Sequence, residues 1–185
     1  MRVKRKTILP SNWTPLQQGT LVYLVRDSSV LLIHKLTGHG AGRINAPGGR
    51  LEEDESIYQC AVREVREEVG IRAGSLNPAA ALRFHDFGNG FSMTGYVYTS
   101  TTFEGDAVST NEANPFWCDM DEIPYDKMWE DDALWLPRVL AGDCILGDFV
   151  FENDRLRCHE VTRVDQSEIR QRLKGRETEI IKGGV

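Results

Sequence analysis

The sequence predicts an α/β domain in which helices and a β-sheet pack in layers. Apolar, β-branched runs of strand length alternate along the chain with segments of helical periodicity. Hydrophobic residues make up 41% of the 185 positions and charged residues 27%, the ordinary range for one globular core. Because neither an internal repeat nor a low-complexity linker divides the chain, we expect one domain.

The strands are predicted from period-two and β-branched runs bounded by turn residues. An initial hairpin is followed by a glycine-rich stretch from Thr37 to Gly49, which is too flexible for regular structure and suits close approach of backbone to a ligand. The predicted strands are Gly19–Arg26, Val30–Leu36, Ala79–Phe87, Ser92–Thr102, Pro115–Cys118, Cys144–Glu152 and Arg155–Val161.

The clearest helix is predicted over Ser56–Val69, because apolar residues recur there every four positions. Its ends are marked by a capping box of Ser56 and Gln59 and by Gly70 in the position of a left-handed C-cap. A second helix is predicted over Asp131–Leu140, where Pro137 indicates a kink or a late start.

A short polar helix over Gln166–Lys174 and a frayed tail of a dozen residues complete the predicted elements. We therefore divide the chain into an N-terminal segment (1–18), the α/β domain (19–161) and a C-terminal extension (162–185).

Composition restricts the partners of the protein. The formal net charge of −6 argues against binding of a nucleic acid polymer, which requires clustered Lys and Arg. No apolar run is long enough to span a bilayer and no export signal is recognisable, so we expect a cytoplasmic protein with no membrane partner. The four cysteines and four histidines lack metal-site spacing, and the cysteines are expected to be buried thiols. The sequence does not indicate an oligomeric state.

Three carboxylates of the first helix carry the strongest chemical signal. Glu64, Glu67 and Glu68 stand at i, i+3 and i+4, so they project from one face of the helix. Taken alone, this pattern fits a solvated acidic face as well as a metal site. Hard divalent cations prefer oxygen ligands, and carboxylates on a rigid helix can supply them.

The surrounding residues distinguish these two interpretations. From Gly49 the spacing runs through Glu55, then the pair Arg63 and Glu64, then Glu67 and Glu68, and ends at Gly70 and Ile71. This pattern resembles the Nudix box at every defined position. The resemblance implies a Nudix-type α/β/α sandwich with a central mixed β-sheet, and an enzyme that hydrolyses a phosphoanhydride with Mg²⁺, or with Mn²⁺ as a substitute.

The resemblance also assigns the metal site. Glu64 and Glu68 are expected to be metal ligands, and Glu67 a further ligand or the base that orients water. The carbonyl of Gly48 is expected to be another ligand, and Glu112 matches a position where relatives add an acidic group. Arg63 is expected to orient Glu67 by a charged hydrogen bond, although a purely structural salt bridge remains an alternative.

The likeness is nearest to the MutT-like diphosphatases of oxidised purine nucleoside triphosphates such as 8-oxo-dGTP, and extends from about Thr20 to Val161. The matching positions imply that Asn45, Asp131 and Asp132 read the purine edge, with one carboxyl as a neutral donor, and that Trp129 stacks on its face. Lys35 is a weaker candidate for holding a phosphate. His39 departs from the pattern, because relatives carry an aromatic pocket residue there.

Other interpretations remain open at this point. Asp131 and Asp132 also suit the N-terminus of a helix, and Trp129 suits a core position. The box reports only the pyrophosphate chemistry, so a hydrolase of ADP-ribose or of a dinucleotide polyphosphate is an alternative. A non-catalytic nucleotide-binding module is less favoured, because none of the box carboxylates is missing.

Overall fold

The computed structural model describes residues 8–10 and 12–173. The basic residues 1–6 and the predicted tail from residue 174 lie outside the described residues. None of the described helices combines the length and apolarity that crossing a membrane requires.

Ten strands form the sheets within the described residues. The seven strands of seven or more residues are predicted correctly in kind, and none of their ends differs from the prediction by more than three residues. The strands are β1 (Gln17–Arg26), β2 (Ser29–Lys35), β3 (Ile44–Asn45), β4 (Arg72–Ala73), β5 (Asn77–Asp86), β6 (Ser92–Ser100), β7 (Phe103–Glu104), β8 (Ala113–Asp119), β9 (Cys144–Glu152) and β10 (Arg155–Val164).

The main sheet is mixed and has the order β10-β9-β5-β6-β1-β2-β3, with β8 also paired to β2. Strand β1 joins the two halves of this sheet. Its first eight residues pair with β6 in parallel, and its last two pair with β2 in antiparallel. The parallel β5–β9 pair accounts for the other crossover. Before β1 reaches β2, its Thr20 and Val22 N–H groups bond to the carbonyls of Gly49 and Pro47, so the end of the glycine-rich stretch lies along β1.

Three helices cover the sheet: α1 (Ile57–Val69), α2 (Asp132–Leu140) and α3 (residues 166–173). Helix α1 begins with the predicted Ser56–Gln59 capping box and ends at Gly70 with a φ of 74°. Helix α2 begins one residue later than predicted and continues through Pro137. Two short 3₁₀ helices, Met120–Glu122 and Tyr125–Lys127, precede α2.

Successive residues of β1 point to opposite faces of the sheet, so each face has its own core. Val22 packs with α1 in one cluster, whereas Tyr23 packs with α2 in the other. The helices therefore lie on both sides of a mixed sheet, and the predicted α/β/α fold is confirmed.

Two local predictions are wrong. The strand predicted over Ser92–Thr102 ends at Ser100, because the Ser100 hydroxyl and the backbone of Thr102 bond to each other and turn the chain into the separate strand β7. Cys158 is not a buried thiol, because it lies on the exposed edge strand β10, whereas the other three cysteines are buried.

The C-terminal segment contributes to the core. Strand β10 extends beyond the predicted Val161 to Val164, and α3 follows after one residue. Ile169 and Leu173 of α3 are buried in the same cluster as α1. Helix α3 therefore closes the α1 face of the sheet.

We expect Ile169→Ala to lower the free energy of unfolding by about 2–4 kcal/mol, because it removes a fully buried side chain from a packed cluster. Urea unfolding measures this change. The control is Arg172→Ala on the exposed side of α3, whose ion pair with Glu168 is worth at most about 0.5 kcal/mol. Equal effects for the two variants would show that α3 does not support the core.

Candidate active site

A cleft of about 480 Å³ opens between the glycine-rich loop, α1 and α2, a size typical of small-molecule sites. Nine of the residues predicted for function line it: Lys35, His39, Asn45, Gly48, Glu64, Glu112, Trp129, Asp131 and Asp132. Three predicted residues, Arg63, Glu67 and Glu68, are not on its wall.

Glu64 presents the carboxylate of α1 that faces the cleft. A Cβ at Gly49 would overlap this carboxylate in its present position, so glycine leaves the space that the Glu64 side chain occupies. Burial raises the pKa of Glu64, and a hydrogen bond from Arg63 opposes this shift. The carboxylate is thus partly desolvated beside backbone oxygen atoms, where a bound cation would stabilise its charge.

Glu68 is fully buried one turn further along α1. One of its oxygens accepts a hydrogen bond from the Lys35 ammonium, and the other accepts from the backbone N–H of Gly48 at 2.9 Å. Lys35 is therefore already paired with a carboxylate in this structure, rather than presented as an unpaired phosphate ligand.

Arg63 organises the acidic residues around α1. Its guanidinium binds Glu55 through two bonds of 2.7 and 2.9 Å, and one nitrogen reaches both Glu64 at 2.8 Å and Glu67 at 3.0 Å. The predicted Arg63–Glu67 contact is present, but the bidentate partner is Glu55. This hydrogen bond from Arg63 lowers the pKa of Glu55.

Glu67 and Glu112 lie at the margin of this acidic group. The Glu67 side chain is 55% exposed and points to Arg63 rather than into the cleft. Glu112 lines the cleft from an exposed loop, and the Thr110 hydroxyl ties that loop to the C-terminal end of α1 through a 3.0 Å bond to the Glu68 carbonyl.

The donor set suits a divalent cation in its chemistry, since carboxylate and carbonyl oxygens are the ligands that hard cations prefer. A side chain at Gly49 would fill the space in which the Glu64 carboxylate lies against the loop. Within residues 8–10 and 12–173, however, no three acidic, histidine or cysteine side chains converge at metal-binding distances. Arg63 and Lys35 bind oxygens of the carboxylates that the sequence predicts as ligands.

At the other end of the cleft, Asp131 and Asp132 are both 3% exposed. Asp131 accepts a hydrogen bond from the indole N–H of Trp135 at 2.9 Å, and Asp132 accepts from the backbone N–H of Trp129 at 3.0 Å. Burial raises the pKa of Asp131 to about 6 and also raises that of Asp132, where the neighbouring charge of Asp131 adds to the shift. One of the pair is therefore readily protonated near neutral pH.

The alternative role of these aspartates as helix caps is only partly observed. Asp131 occupies the N-cap position of α2, but its side chain makes no capping hydrogen bond. Trp135 is a fully buried core residue, whereas Trp129 is half-buried on the cleft wall. Asn45 also lines the wall, and its amide oxygen accepts from the backbone N–H of Ala46 at 2.8 Å.

The Trp129 indole packs against two side chains of the glycine-rich loop. The His39 ring stacks on one face with centroids 5.1 Å apart, and the Arg43 guanidinium lies 4.1 Å from the ring centroid. His39 also stacks on Phe91 at 4.4 Å. Burial lowers the pKa of His39, which keeps its imidazole neutral and suited to stacking.

The comparisons with known proteins agree with this geometry. The NUDIX domain model matches residues 15–139. The chain belongs to the NUDIX family. It is 35% identical over 147 residues to an oxidized purine nucleoside triphosphate hydrolase from Danio rerio, covering 79% of this chain and 94% of the relative. A protein of the same description from Mus musculus is 32% identical over the same shares of both chains.

Solved structures of NUDIX proteins share the fold. A MutT protein from Bacillus halodurans has a TM-score of 0.70 at 25% identity, covering 79% of this chain and 97% of that chain. A MutT NUDIX hydrolase from Burkholderia pseudomallei has a TM-score of 0.56 at 27% identity, covering 60% and 88%. The predicted family and the predicted hydrolase class are confirmed.

Several cleft residues of this NUDIX protein were not predicted. Phe84, Met93 and Phe151 form apolar parts of the wall, and Asp86 and Asp154 lie in the turns beside them. The apolar residues follow the same period-two pattern as core residues, so the sequence contains no signal that separates them. Asp86 accepts four backbone N–H bonds from the two turns and so joins them.

The raised pKa of Asp131 predicts a pH dependence of stability. The folded protein retains a proton that the unfolded chain, with the ordinary pKa of 3.8, has lost above that pH. Stability from this carboxyl is therefore fully present below about pH 4 and is lost as the pH rises through about 6. Asp131→Asn keeps an acceptor for Trp135 but cannot ionise.

We expect the free energy of unfolding of Asp131→Asn, relative to the wild type, to rise by on the order of 2–3 kcal/mol between pH 4 and pH 7. Urea unfolding at both pH values measures it. Asp126→Asn, at an exposed position before α2, is the control and should show no such difference. A relative stability of Asp131→Asn that is independent of pH would contradict the buried, proton-binding carboxyl.

Proposed function

We propose that this NUDIX hydrolase cleaves an oxidised purine nucleoside triphosphate, such as 8-oxo-dGTP, to the monophosphate and pyrophosphate. The observation that carries the proposal is the pair of buried aspartates, Asp131 and Asp132, in the same cleft as the Glu64 carboxylate. One end of the cleft has carboxyls that can donate or accept a hydrogen bond at a base edge, and the other has carboxylates that could hold a cation beside a phosphate chain.

At the phosphate end, Glu64, Glu67, Glu68, Glu112 and the Gly48 carbonyl would hold Mg²⁺, with Mn²⁺ as a substitute. The cation, when bound, would neutralise charge on the phosphate oxygens and lower the pKa of coordinated water. The protein's own part is positional: Arg63 holds Glu64 by a hydrogen bond, and Gly49 leaves room for its carboxylate.

Among the carboxylates assigned to catalysis, we give Glu64 the leading role. It faces the cleft, whereas Glu67 is exposed and bonded to Arg63 outside the wall. Glu64 is thus placed to orient the attacking water, with Arg63 as a positioning residue. Glu67 would add its negative charge to the metal site from a position outside the cleft wall. Lys35 would contact a phosphate while its ammonium group is also bonded to the Glu68 carboxylate.

At the base end, the two aspartates differ from ordinary surface carboxylates because burial favours the protonated form. A protonated carboxyl donates a hydrogen bond and an ionised one accepts, so the pair can match a base edge that has both groups. Oxidation of a purine changes that donor and acceptor pattern. Asn45 on the same wall adds an amide to the reading surface.

Stacking of a base on Trp129 requires His39 to move. The 5.1 Å between the His39 and Trp129 centroids leaves no space for a third ring between them. His39 lies between Gly38 and Gly40, both with positive φ, so the backbone on either side of it is a turn rather than regular structure. We assign His39 as a substrate-binding residue that leaves the indole face when a base occupies it.

The protein would act in the cytoplasm on the free nucleotide pool, with the nucleotide as its partner and neither a nucleic acid polymer nor a membrane. The negative net charge of −6 supports a small diffusible substrate, because a polymer would require a continuous basic surface.

A substrate panel with Mg²⁺ tests the proposal. We expect 8-oxo-dGTP or 2-oxo-dATP to be converted to monophosphate and pyrophosphate at a higher kcat/KM than dGTP, ADP-ribose or diadenosine polyphosphates. Glu64→Gln should lower kcat by about 10²–10⁴-fold, the usual contribution of a positioned base, and Glu67→Gln should lower it less. Product release measured by chromatography gives both values.

The control for these variants is Glu53→Gln, an exposed carboxylate of the same box that does not line the cleft. It should leave turnover unchanged. Preferential hydrolysis of ADP-ribose or of a dinucleotide would contradict the base-reading roles and leave the hydrolase class intact. A larger loss for Glu67→Gln than for Glu64→Gln would contradict the leading role of Glu64.

Replacement of Trp129 tests base stacking. We expect Trp129→Leu to weaken binding of 8-oxo-dGMP by about 5- to 150-fold, since stacking of one base on an aromatic ring is worth about 1–3 kcal/mol. Isothermal titration measures the Kd. Trp117→Leu is a matched control, because Trp117 also lies under an arginine, Arg26 at 4.2 Å, but is not on the cleft wall. Equal losses in both variants would attribute the effect to stability.

A further inference from the structure

Gln17, at the start of β1, has an amide oxygen that the fold leaves without a hydrogen-bond partner. Within the described residues, three buried side-chain polar atoms make no hydrogen bond: Gln17 Oε1, the Tyr23 hydroxyl and His85 Nδ1. Only Gln17 among these three residues lines the cleft. Its unpaired oxygen therefore belongs to the site rather than to the core.

The orphaned oxygen is costly to the folded state. A buried amide oxygen without a hydrogen bond loses its contact with water, and no interaction within the protein offsets the free energy of that loss. Gln17 pairs in register with Met93 of β6, whose side chain also lines the cleft, and an apolar residue at position 17 would avoid this cost. Unsatisfied polar groups that lower the stability of a fold are concentrated at functional sites.

The adjacent Gln18 shows what a structural glutamine looks like in the same strand. It points to the opposite face of the sheet, and its amide oxygen accepts a hydrogen bond from the Tyr96 hydroxyl at 3.2 Å. Two neighbouring residues of one type thus differ in that one is satisfied within the fold and the other faces the cleft unpaired.

The position of Gln17 indicates which part of a ligand it meets. It lines both the main cleft and a shallow groove that opens beyond it, together with His39, Phe91 and Trp129. Asn45, Asp131, Asp132 and Glu64 line the main cleft but not this groove. Gln17 is therefore at the mouth of the cleft, next to the aromatic stack and away from both the aspartate pair and the phosphate end.

We propose that Gln17 is a specificity-determining residue whose amide oxygen accepts a hydrogen bond from an N–H or O–H donor of the bound nucleoside. The inference rests on the proposed function, since it requires a nucleotide in this cleft. An acceptor without a partner requires a donor, and a nucleoside offers two sources: an amine or imino group of the base, and a hydroxyl of the sugar.

The test compares Gln17→Met with Gln18→Met, two nearly isosteric changes at adjacent positions. With a triphosphate that carries the donor, we expect Gln17→Met to raise KM about tenfold, the loss of one hydrogen bond to the ligand. Its thermal unfolding midpoint should be equal to or above that of the wild type, because the unpaired amide is gone. Gln18→Met should lower the midpoint and leave KM unchanged.

Two further substrates identify the donor. 8-oxo-dITP lacks the exocyclic amine of the base, and 8-oxo-GTP adds the 2′-hydroxyl of the sugar. If the donor is the amine, the wild type discriminates against 8-oxo-dITP and Gln17→Met does not. If it is the 2′-hydroxyl, the wild type prefers 8-oxo-GTP to 8-oxo-dGTP and the variant loses that preference. A tenfold rise in KM without either change assigns a donor common to all three nucleotides.

An unchanged KM for Gln17→Met on all three nucleotides would overturn the inference while the proposed function stands. The inference would also be overturned if Gln17→Met and Gln18→Met showed the same lowered unfolding midpoint and the same raised KM. Gln17 would then act only on the fold. If the wild type neither hydrolyses these triphosphates nor binds 8-oxo-dGMP in a titration, the proposed function fails and this inference fails with it.

Discussion

The approach of the loop Pro47–Gly49 to strand β1 is the constraint on which the rest of the site depends. The backbone N–H of Thr20 bonds to the Gly49 carbonyl at 2.9 Å, and that of Val22 bonds to the Pro47 carbonyl at 2.8 Å. A Cβ at Gly48 would overlap the Thr20 carbonyl, so a side chain there would push the loop off the sheet. The loop therefore lies against β1 only because residue 48 is glycine.

This contact also positions α1. The Gly48 N–H binds the Glu68 carboxylate, and the absence of a side chain at Gly49 gives Glu64 its place beside the loop backbone. Strand β1, the loop and helix α1 thus meet at consecutive glycines, and the Glu64 and Glu68 carboxylates are held beside them. A small displacement of the loop would separate the Glu68 carboxylate from the Gly48 N–H that donates to it.

Burial then gives the two ends of the cleft different electrostatic properties. At the α1 end, Arg63 and Lys35 compensate carboxylates that a bound cation would otherwise neutralise. At the α2 end, Asp131 and Asp132 have no cationic side chain within hydrogen-bonding distance among the described residues, and burial raises the pKa of both. Carboxylates at the α1 end therefore lie beside cationic side chains, whereas burial favours the protonated form of the carboxyls at the α2 end.

The sequence by itself determined the family, the α/β class and helix α1, because these depend on local spacing: the box from Gly49 to Ile71, the apolar period and both caps are written in consecutive residues. It also indicated Asn45, Trp129 and the two aspartates, through resemblance at matched positions. Only the tertiary structure decided that Glu67 lies outside the cleft wall, that His39 covers Trp129, and that Gln17 is unpaired beside it. Each of these depends on contacts between segments far apart in the chain, and side-chain period alone cannot distinguish a residue that faces a cleft from one that faces a core.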